Sequence, residues 1–394
     1  MKRTYQIITP AEEQDIEGEW QSCLARLREI GRSNKLFKLV VFIDAEEEEK
    51  YRRYRTIIIN DIIEQFKDKV PAHTVLAQKP ENGFHVTIEA GTISSGEVEI
   101  TFREVNDLFY TVVRDSFHKE IWACGMGSKN FSSGDIEDDS SGAFTDMLEV
   151  LVNEGMNMGN VVRQWNYIGH ILHLNHGEGK AIQNYQAFNE VRSQYYKKYR
   201  DRKDFPAATG IGTSVQGVSI DFCAVEGYKE VINVPIDNEH QQNPYAYGQD
   251  VLVGVALSNR NKKEPPQFER ARLLAFPGNT TLFVSGTASI VGEKTVGVGD
   301  LKKQIDTTVE HIKTLTDLNN IKKHVPDFST HSANYRLLRI YVKHEKDFGA
   351  VRNMCEQIYP GTPMIFVKAD VCRDDLLVEI EGEVMFSTPH LSDH

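Results

Sequence analysis

No run of apolar residues approaches the ~18 that a membrane-spanning helix needs. The opening MKRTYQIITPAEEQDIEGEW has two basic residues but not the apolar stretch of a secretory leader. No CxxC pair occurs, and the five cysteines (Cys23, Cys124, Cys223, Cys355, Cys372) are odd in number and scattered. That argues against a disulfide framework or a cysteine-built zinc site and for reduced thiols in the cytoplasm. Positive charge is in deficit: the net charge of -12 argues against nucleic acid as a partner, since phosphate binding needs a cationic surface. The same balance requires local arginines to hold any anionic ligand against the field of the whole molecule. P-loop and HExxH motifs are absent, and no GxGxxG opens a helix.

What is present is an ordinary globular composition, 40% apolar and 26% charged over 394 residues, with room for two domains. KLFKLVVFID (35–44) reads as a strand and the acidic run 45–66 as a helix. Its early glutamates, followed by Lys50, Arg52 and Arg53, suit the helix dipole. Further strands are expected at HTVLAQ, FHVTIEAG, EVEITF, LFYTVV and EIWACGMG. An internal echo is more informative. Residues 121–171 read strand, glycine turn, amphipathic helix, strand, and residues 282–344 repeat that order. Phe144, Leu148, Leu151 and Val152 fall at helical spacing in the first copy, and Ile305, Val309, Ile312 and Leu315 in the second. Two similar α+β domains are predicted, with a ligand cleft between them. Residues 237–267, rich in Asn, Gln, Pro and Gly, read as a long irregular loop of the kind that often carries function.

Five stretches carry candidate chemistry. In HILHLNH, His170, His173 and His176 recur every third residue, but Asn175, Gly177 and Gly179 end any regular element there, so loop or packing histidines are expected and no metal. In NYQAFNEVRSQYYKKYR, Tyr185, Phe188 and Arg192 follow one helix face, forming either an aromatic wall with a guanidinium or a packing face. FPAATGIGTSVQG and SGTASIVG bring small residues that allow a ligand close to the backbone, or simply make tight turns and sheets. In ADVCRDDLLVEIEG, Val378 and Ile380 share one strand face and Glu379 and Glu381 the other. That second face either meets water or lines a cleft, where a desolvated carboxyl can serve as a general acid.

Taken in order, WNYI, NYQAFNEVR, FPAATGIG, PPQFERAR, SGTASIVG and ADVCRDDLLVEIEG make residues from about 100 to 385 resemble the chorismatases. The resemblance implies YjgF/Rid-like (chorismate mutase-like) α+β domains, with mixed sheets and helices packed on one face. A degenerate N-terminal domain would span 1–200, and a C-terminal domain carrying the catalytic strand would span 201–394. It implies a hydrolase that releases pyruvate from chorismate, giving 3-hydroxybenzoate or a dihydroxycyclohexadiene carboxylate, with no metal or organic cofactor. Glu379 stands at the general acid's place, and Cys372 at the position of a cysteine found in the 3-hydroxybenzoate-forming branch. Tyr185, Arg192, Thr209, Gly210, Arg270, Gly286, Thr287 and Ala288 would surround the substrate. Arg192 and Arg270 would meet its carboxylates, with Arg163 and Arg373 behind them. Met364 stands where the related imine deaminases carry an arginine, which disfavours that reaction. The chain departs from the family pattern at Val191-Arg192, at Gly292-Glu293-Lys294-Thr295 and in the 243–266 loop. Two other readings therefore stay open: a non-catalytic small-molecule binder of this fold, and an enzyme on another enolpyruvyl or cyclic carboxylate substrate. A monomer or small homo-oligomer is expected, because two domains in one chain can mimic an interface between subunits.

Overall fold

Three stretches of the chain each build the same strand–helix order. The computed structural model describes residues 2–94, 98–127, 134–177, 180–228, 231–255, 262–330 and 332–387. The first unit runs β1 (Lys2–Ile8), α1 (Ile16–Ser33), β2 (Lys35–Ile43), α2 (Glu48–Phe66), β3 (Ala72–Ala77) and β4 (Val86–Ser94), with strand order β1-β4-β2-β3. The second runs β5 (Glu99–Val105), β6 (Leu108–Arg114), β7 (His118–Met126), α3 (Ile136–Asn153), β8 (Val161–Gly169), the small hairpin β9 (Leu174–Gly177) and β10 (Lys180–Gln183), α4 (Asn184–Tyr199), β11 (Ala207–Thr213) and β12 (Val218–Gly227). Its sheet order is β11-β8-β12-β7-β6-β5. The third runs β13 (Ile232–Ile236), β14 (Ala271–Phe276), β15 (Asn279–Ala288), the two-residue strands β16 (Ile290–Val291) and β17 (Lys294–Thr295), α5 (Leu301–Thr316), α6 (Leu318–His324), β18 (Ala333–Val342), α7 (Phe348–Ile358), β19 (Met364–Lys368) and β20 (Val378–Phe386). Its order, β13-β14-β15-β20-β18-β19, matches that of the second sheet strand for strand.

The architecture is α+β with mixed sheets, as expected, but the repeat occurs three times rather than twice. In each unit the core pattern is strand, helix, strand, helix, strand, strand. The second strand lies parallel to the third and antiparallel to the last. Among the described residues, the first unit has no counterpart of the hairpin that leads the other two. The expected boundary at residue 200 therefore falls inside the second unit, because β11 and β12, which follow it, pair with β8 and β7. The physical reason is the crossover: a parallel pair such as β8 and β11 needs a connection like α4 between its strands. A cut just after the helix parts it from the strand it delivers.

Each sheet buries its outer face under its own helices. On α1, Ile16, Trp20, Leu24 and Leu27 point to the sheet, and Asp15 caps the helix by accepting from the Gly18 amide at 2.8 Å. The three inner faces meet one another around Phe37, Trp122, Trp165, Phe283 and Tyr341. Charged side chains also lie in that shared interior, and they are paired across the units. Arg3 of the first unit reaches Glu120 of the second (2.7 Å) and Glu383 of the third (3.2 Å). Arg339 of the third holds Glu89 of the first (2.5 Å), and Arg163 of the second holds Glu381 of the third (2.5 Å). Buried charge is tolerable only when paired, so these contacts specify how the three sheets seat on one another.

Candidate active site

The carboxylate face of β20 does not meet water. Glu379, Glu381 and Glu383 are only 4%, 3% and 5% exposed and point into the interior between the units. Two of them have cationic partners. Glu383 is held by Arg3, Arg336 and the Tyr5 hydroxyl. Glu381 accepts from Arg163, the Trp165 indole (2.8 Å) and the Tyr341 hydroxyl (3.2 Å). Glu379 has no ion pair among the described residues. Burial, reinforced by the charge of Glu381, pushes its carboxyl up to about 8, with Arg163 and Arg270 pulling the other way. At neutral pH it is therefore mainly a neutral acid.

Glu379 opens onto a cleft of about 690 Å³ between the second and third units. Ala208 and Gly210 of β11 and Gly286 and Ala288 of β15 contribute from the strands, and Tyr185, Gln186 and Asn189 from α4. Two glycines are there for a steric reason. A Cβ on Gly286 would lie 2.2 Å from a Glu379 carboxyl oxygen, and one on Gly210 would lie 2.9 Å from the Tyr185 ring. The irregular segment 237–267 closes one side with Tyr247, Leu252 and Pro266. Tyr247 packs between two cations, 5.8 Å from the Arg270 guanidinium and 5.3 Å from that of Arg373. Arg270 donates to the Tyr247 hydroxyl (2.7 Å) and to the Gln242 carbonyl (2.6 Å), while its Nε has no hydrogen-bond partner among the described residues. The Asn189 amide nitrogen, also at the cleft, has none either. Cys372 lies beside Glu379, and burial together with that carboxyl pushes its thiol up to about 12, so it is no thiolate nucleophile.

Of the residues expected at the site, Glu379, Cys372, Tyr185, Gly210, Arg270, Gly286, Ala288 and Arg373 line this cleft. Four others stand behind it. Thr209 accepts from the Gly286 amide (3.0 Å) and from Arg163 (2.7 Å) and donates to Glu381, so it ties the second unit to the third beneath the cleft. Arg163 is the counter-charge of Glu381. The Thr287 hydroxyl donates to the Ser285 carbonyl at 2.8 Å. Arg192 is fully buried, donates to Asn189 Oδ1 at 2.5 Å and lies over the Phe188 ring. The expected helix face was one position out of phase: Tyr185, Gln186 and Asn189 face the cleft, and Phe188 turns into the core under α3. The cationic pair at the cleft is therefore Arg270 with Arg373. Sequence reasoning missed Tyr247, Asn189 and Phe268. Their signals were the aromatic repeat in PYAY, an i, i+4 step from Tyr185, and the start of FERAR.

The departures from the family pattern have structural roles. Glu293 accepts from the Gly248 amide (2.8 Å), and its backbone carbonyl accepts from Arg373 (2.8 Å), which fastens the Tyr247 loop over the cleft. Val191 is buried in the core beneath α3 and α4. Met364 opens β19 and packs on the core of the third unit, away from the cleft. His170 and His173 are exposed at the turn after β8, and the side chain of His176 lies outside the described residues.

Known proteins match this architecture. Residues 113–224 fit the family described as chorismatase FkbO/Hyg5-like, N-terminal. A 3-hydroxybenzoate synthase of Streptomyces hygroscopicus is 33% identical over 249 residues, which cover 62% of this chain and 68% of that protein. A chorismatase of Streptomyces hygroscopicus is 29% identical over 255 residues, covering 64% and 69%. A crystal structure of a chorismatase superposes over 98% of this chain and 99% of its own, with a TM-score of 0.69 at 20% identity, and so shares the fold. The chain belongs to the chorismatase family. No helix among the described residues is long and apolar enough to cross a membrane.

Proposed function

We propose that the chain releases pyruvate from chorismate, with Glu379 as the general acid. The observation that carries this reading is a buried carboxyl raised to about 8, without an ion pair among the described residues and opening onto a cleft with two arginines. Glu379 would protonate the methylene carbon of the enolpyruvyl ether. The ether carbon then becomes oxocarbenium-like and is attacked by water or by the ring hydroxyl. With water, the adduct collapses to pyruvate and a dihydroxycyclohexadiene carboxylate. With the ring hydroxyl, the atoms of chorismate divide between pyruvate and 3-hydroxybenzoate, and no water is consumed. Such proton transfer is efficient when the acid's pKa lies near the working pH.

Chorismate carries two carboxylates, and Arg270 and Arg373 would take them, since a guanidinium fork suits a carboxylate. Tyr247, held between those arginines, would stack on the ring, and the Asn189 amide would donate to a ring oxygen. Cys372, a neutral thiol, would shape the space beside Glu379 and so bias which oxygen attacks. The likeness to a 3-hydroxybenzoate synthase supports the aromatic product. The test is to incubate the purified chain with chorismate, follow pyruvate and identify the second product. E379Q should bind the ligand and release pyruvate at least about 10²-fold more slowly. A wild-type chain that binds chorismate without releasing pyruvate would make this a binding protein.

A further inference from the structure

The junction between the first and second units repeats the geometry of the proposed catalytic one. On β20, Glu381 faces a bulge of β15 formed by Ser285 and Gly286, and on β12, Asp221 faces the matching bulge of β7 formed by Cys124 and Gly125. Register extends the match to the neighbouring unit. Thr209 pairs with Trp165 and Trp165 with Asp221, just as Thr74 pairs with Val40 and Val40 with Glu89. Thr74 therefore stands to this junction as Thr209 stands to the first. Ser219, two residues before Asp221, occupies the place of Glu379.

A cleft of about 650 Å³ opens at this second junction, with Arg55 and Ile59 of α2, His73 and Thr74 of β3, and Phe109 and Gly125 of the second unit among its walls. The layer behind it differs from that at the first in one respect. Asp221 is one methylene shorter than Glu381 and takes the Gly125 amide itself at 2.8 Å. The buried Thr74 hydroxyl, which lines the cleft, is left without a hydrogen-bond partner among the described residues, and so, further back, is the Ser219 hydroxyl. Buried polar groups seldom stay unpaired, so a floor of this kind calls for a polar ligand. The third junction is built differently. Ile365 replaces the threonine, the Glu81 amide donates to Phe366 at 3.0 Å, Pro80 bridges to Val367, and Arg352 clamps Glu81.

We infer that the cleft between the first and second units is a second, non-catalytic binding site for a small hydroxylated aromatic carboxylate. Arg55 takes the carboxylate, Ile59 and Phe109 cover the ring, and Thr74 meets the hydroxyl. With serine where the first site has its acid, this cleft lacks the counterpart of Glu379. This inference rests on the internal repeat and not on the catalytic reading.

The experiment is calorimetric titration of the full chain with 3-hydroxybenzoate, alongside R55M, I59W and R270M. A binding event should persist in R270M and weaken at least about tenfold in both R55M and I59W, the loss expected when one charge-assisted hydrogen bond or the ring's space goes. Pyruvate release from chorismate should be unchanged in R55M and I59W. Binding unaffected by both substitutions, binding lost only in R270M, or no binding at all would overturn the inference. Failure of the catalytic reading registers separately, as wild-type protein that releases no pyruvate.

Discussion

Replacing Glu379 with Gln changes little in shape but removes a proton that the folded chain is built to retain. The side chain is 4% exposed and its carboxyl is lifted from 4.5 to about 8. At 1.36 kcal/mol per tenfold change in proton affinity, holding the ionised form in the folded chain costs about 5 kcal/mol relative to the unfolded one. The sign follows from proton counts. Between pH 4.5 and 8 the folded chain keeps this proton while the unfolded chain has released it, so wild-type stability falls as pH rises through that window and levels off above about 8. E379Q lacks this slope. Urea unfolding of both proteins at several pH values should show the stability of E379Q minus that of wild type growing by about 3 to 4 kcal/mol from pH 5 to pH 8. Turnover should drop by about 10² to 10⁴-fold in the same variant, and wild-type kcat should fall as pH passes about 8 and the acid ionises. Parallel stability curves for the two proteins would refute the raised carboxyl. A wild-type rate that keeps rising past that pH would refute its role as acid.

Three other substitutions bear on the remaining parts. G286A sets a methyl against the Glu379 carboxyl and 3.1 Å from the Thr209 methyl; kcat should fall more than about tenfold while denaturant midpoints move modestly, because one side chain must shift rather than the backbone. C372A should retain pyruvate release but change the ratio of aromatic to diene product, read by chromatography, and the wild-type thiol, half-buried and pushed up to about 12, should react only slowly with iodoacetamide at pH 8. R3M leaves Glu120 and Glu383 buried without their shared partner; the unfolding free energy at pH 7 should fall by about 3 to 5 kcal/mol, the usual cost of orphaning a buried charge.

The local elements were legible where periodicity was strong. The strand at 35–44, the helix within 45–66 and the helices α3 and α5 all stand where expected, but on α3 Val152 is 70% exposed and the buried face runs through Phe144, Met147, Val150 and Leu151, not the expected set. The third repeat was not legible, because the echo was sought through a glycine after the leading strand, as in CGMG and SGTAS. The first unit follows its leading strand with Thr9-Pro10 instead. At the site, residues carried by strand alternation or by small-residue motifs came out at the cleft: Glu379, Gly210, Gly286 and Ala288. The arginines were harder to place. An arginine in a sequence does not declare whether it faces a ligand or an internal carboxylate, and Arg163 and Arg192 proved to serve the interior. Tyr247 belongs to an irregular loop whose path no periodicity describes.

The internal repeat explains why one strand holds both an acid and its opposite. At equivalent positions the three units place Glu89, Asp221 and Glu381, all buried carboxylates facing the shared interior. Glu89 and Glu381 are gripped by arginines from neighbouring units, and Asp221 by a backbone amide. That ring position is structural. What distinguishes the junctions is the residue two places earlier: Thr87, Ser219 and Glu379. Only the last is ionisable, and its neighbour Glu381, fixed in place by Arg163, Trp165 and Tyr341, supplies part of the field that keeps it protonated. An identical assembly of three separate chains would carry the same residue at every junction. Joining the units in one chain allows one junction to be loaded with an acid while a second keeps an open cleft without one and the third is filled by Pro80 and Glu81. The glutamate pair in VEIEG is thus two different groups: Glu381 belongs to the scaffold, and Glu379 is the carboxyl that burial and Glu381 hold neutral, as the proposed proton donor must be.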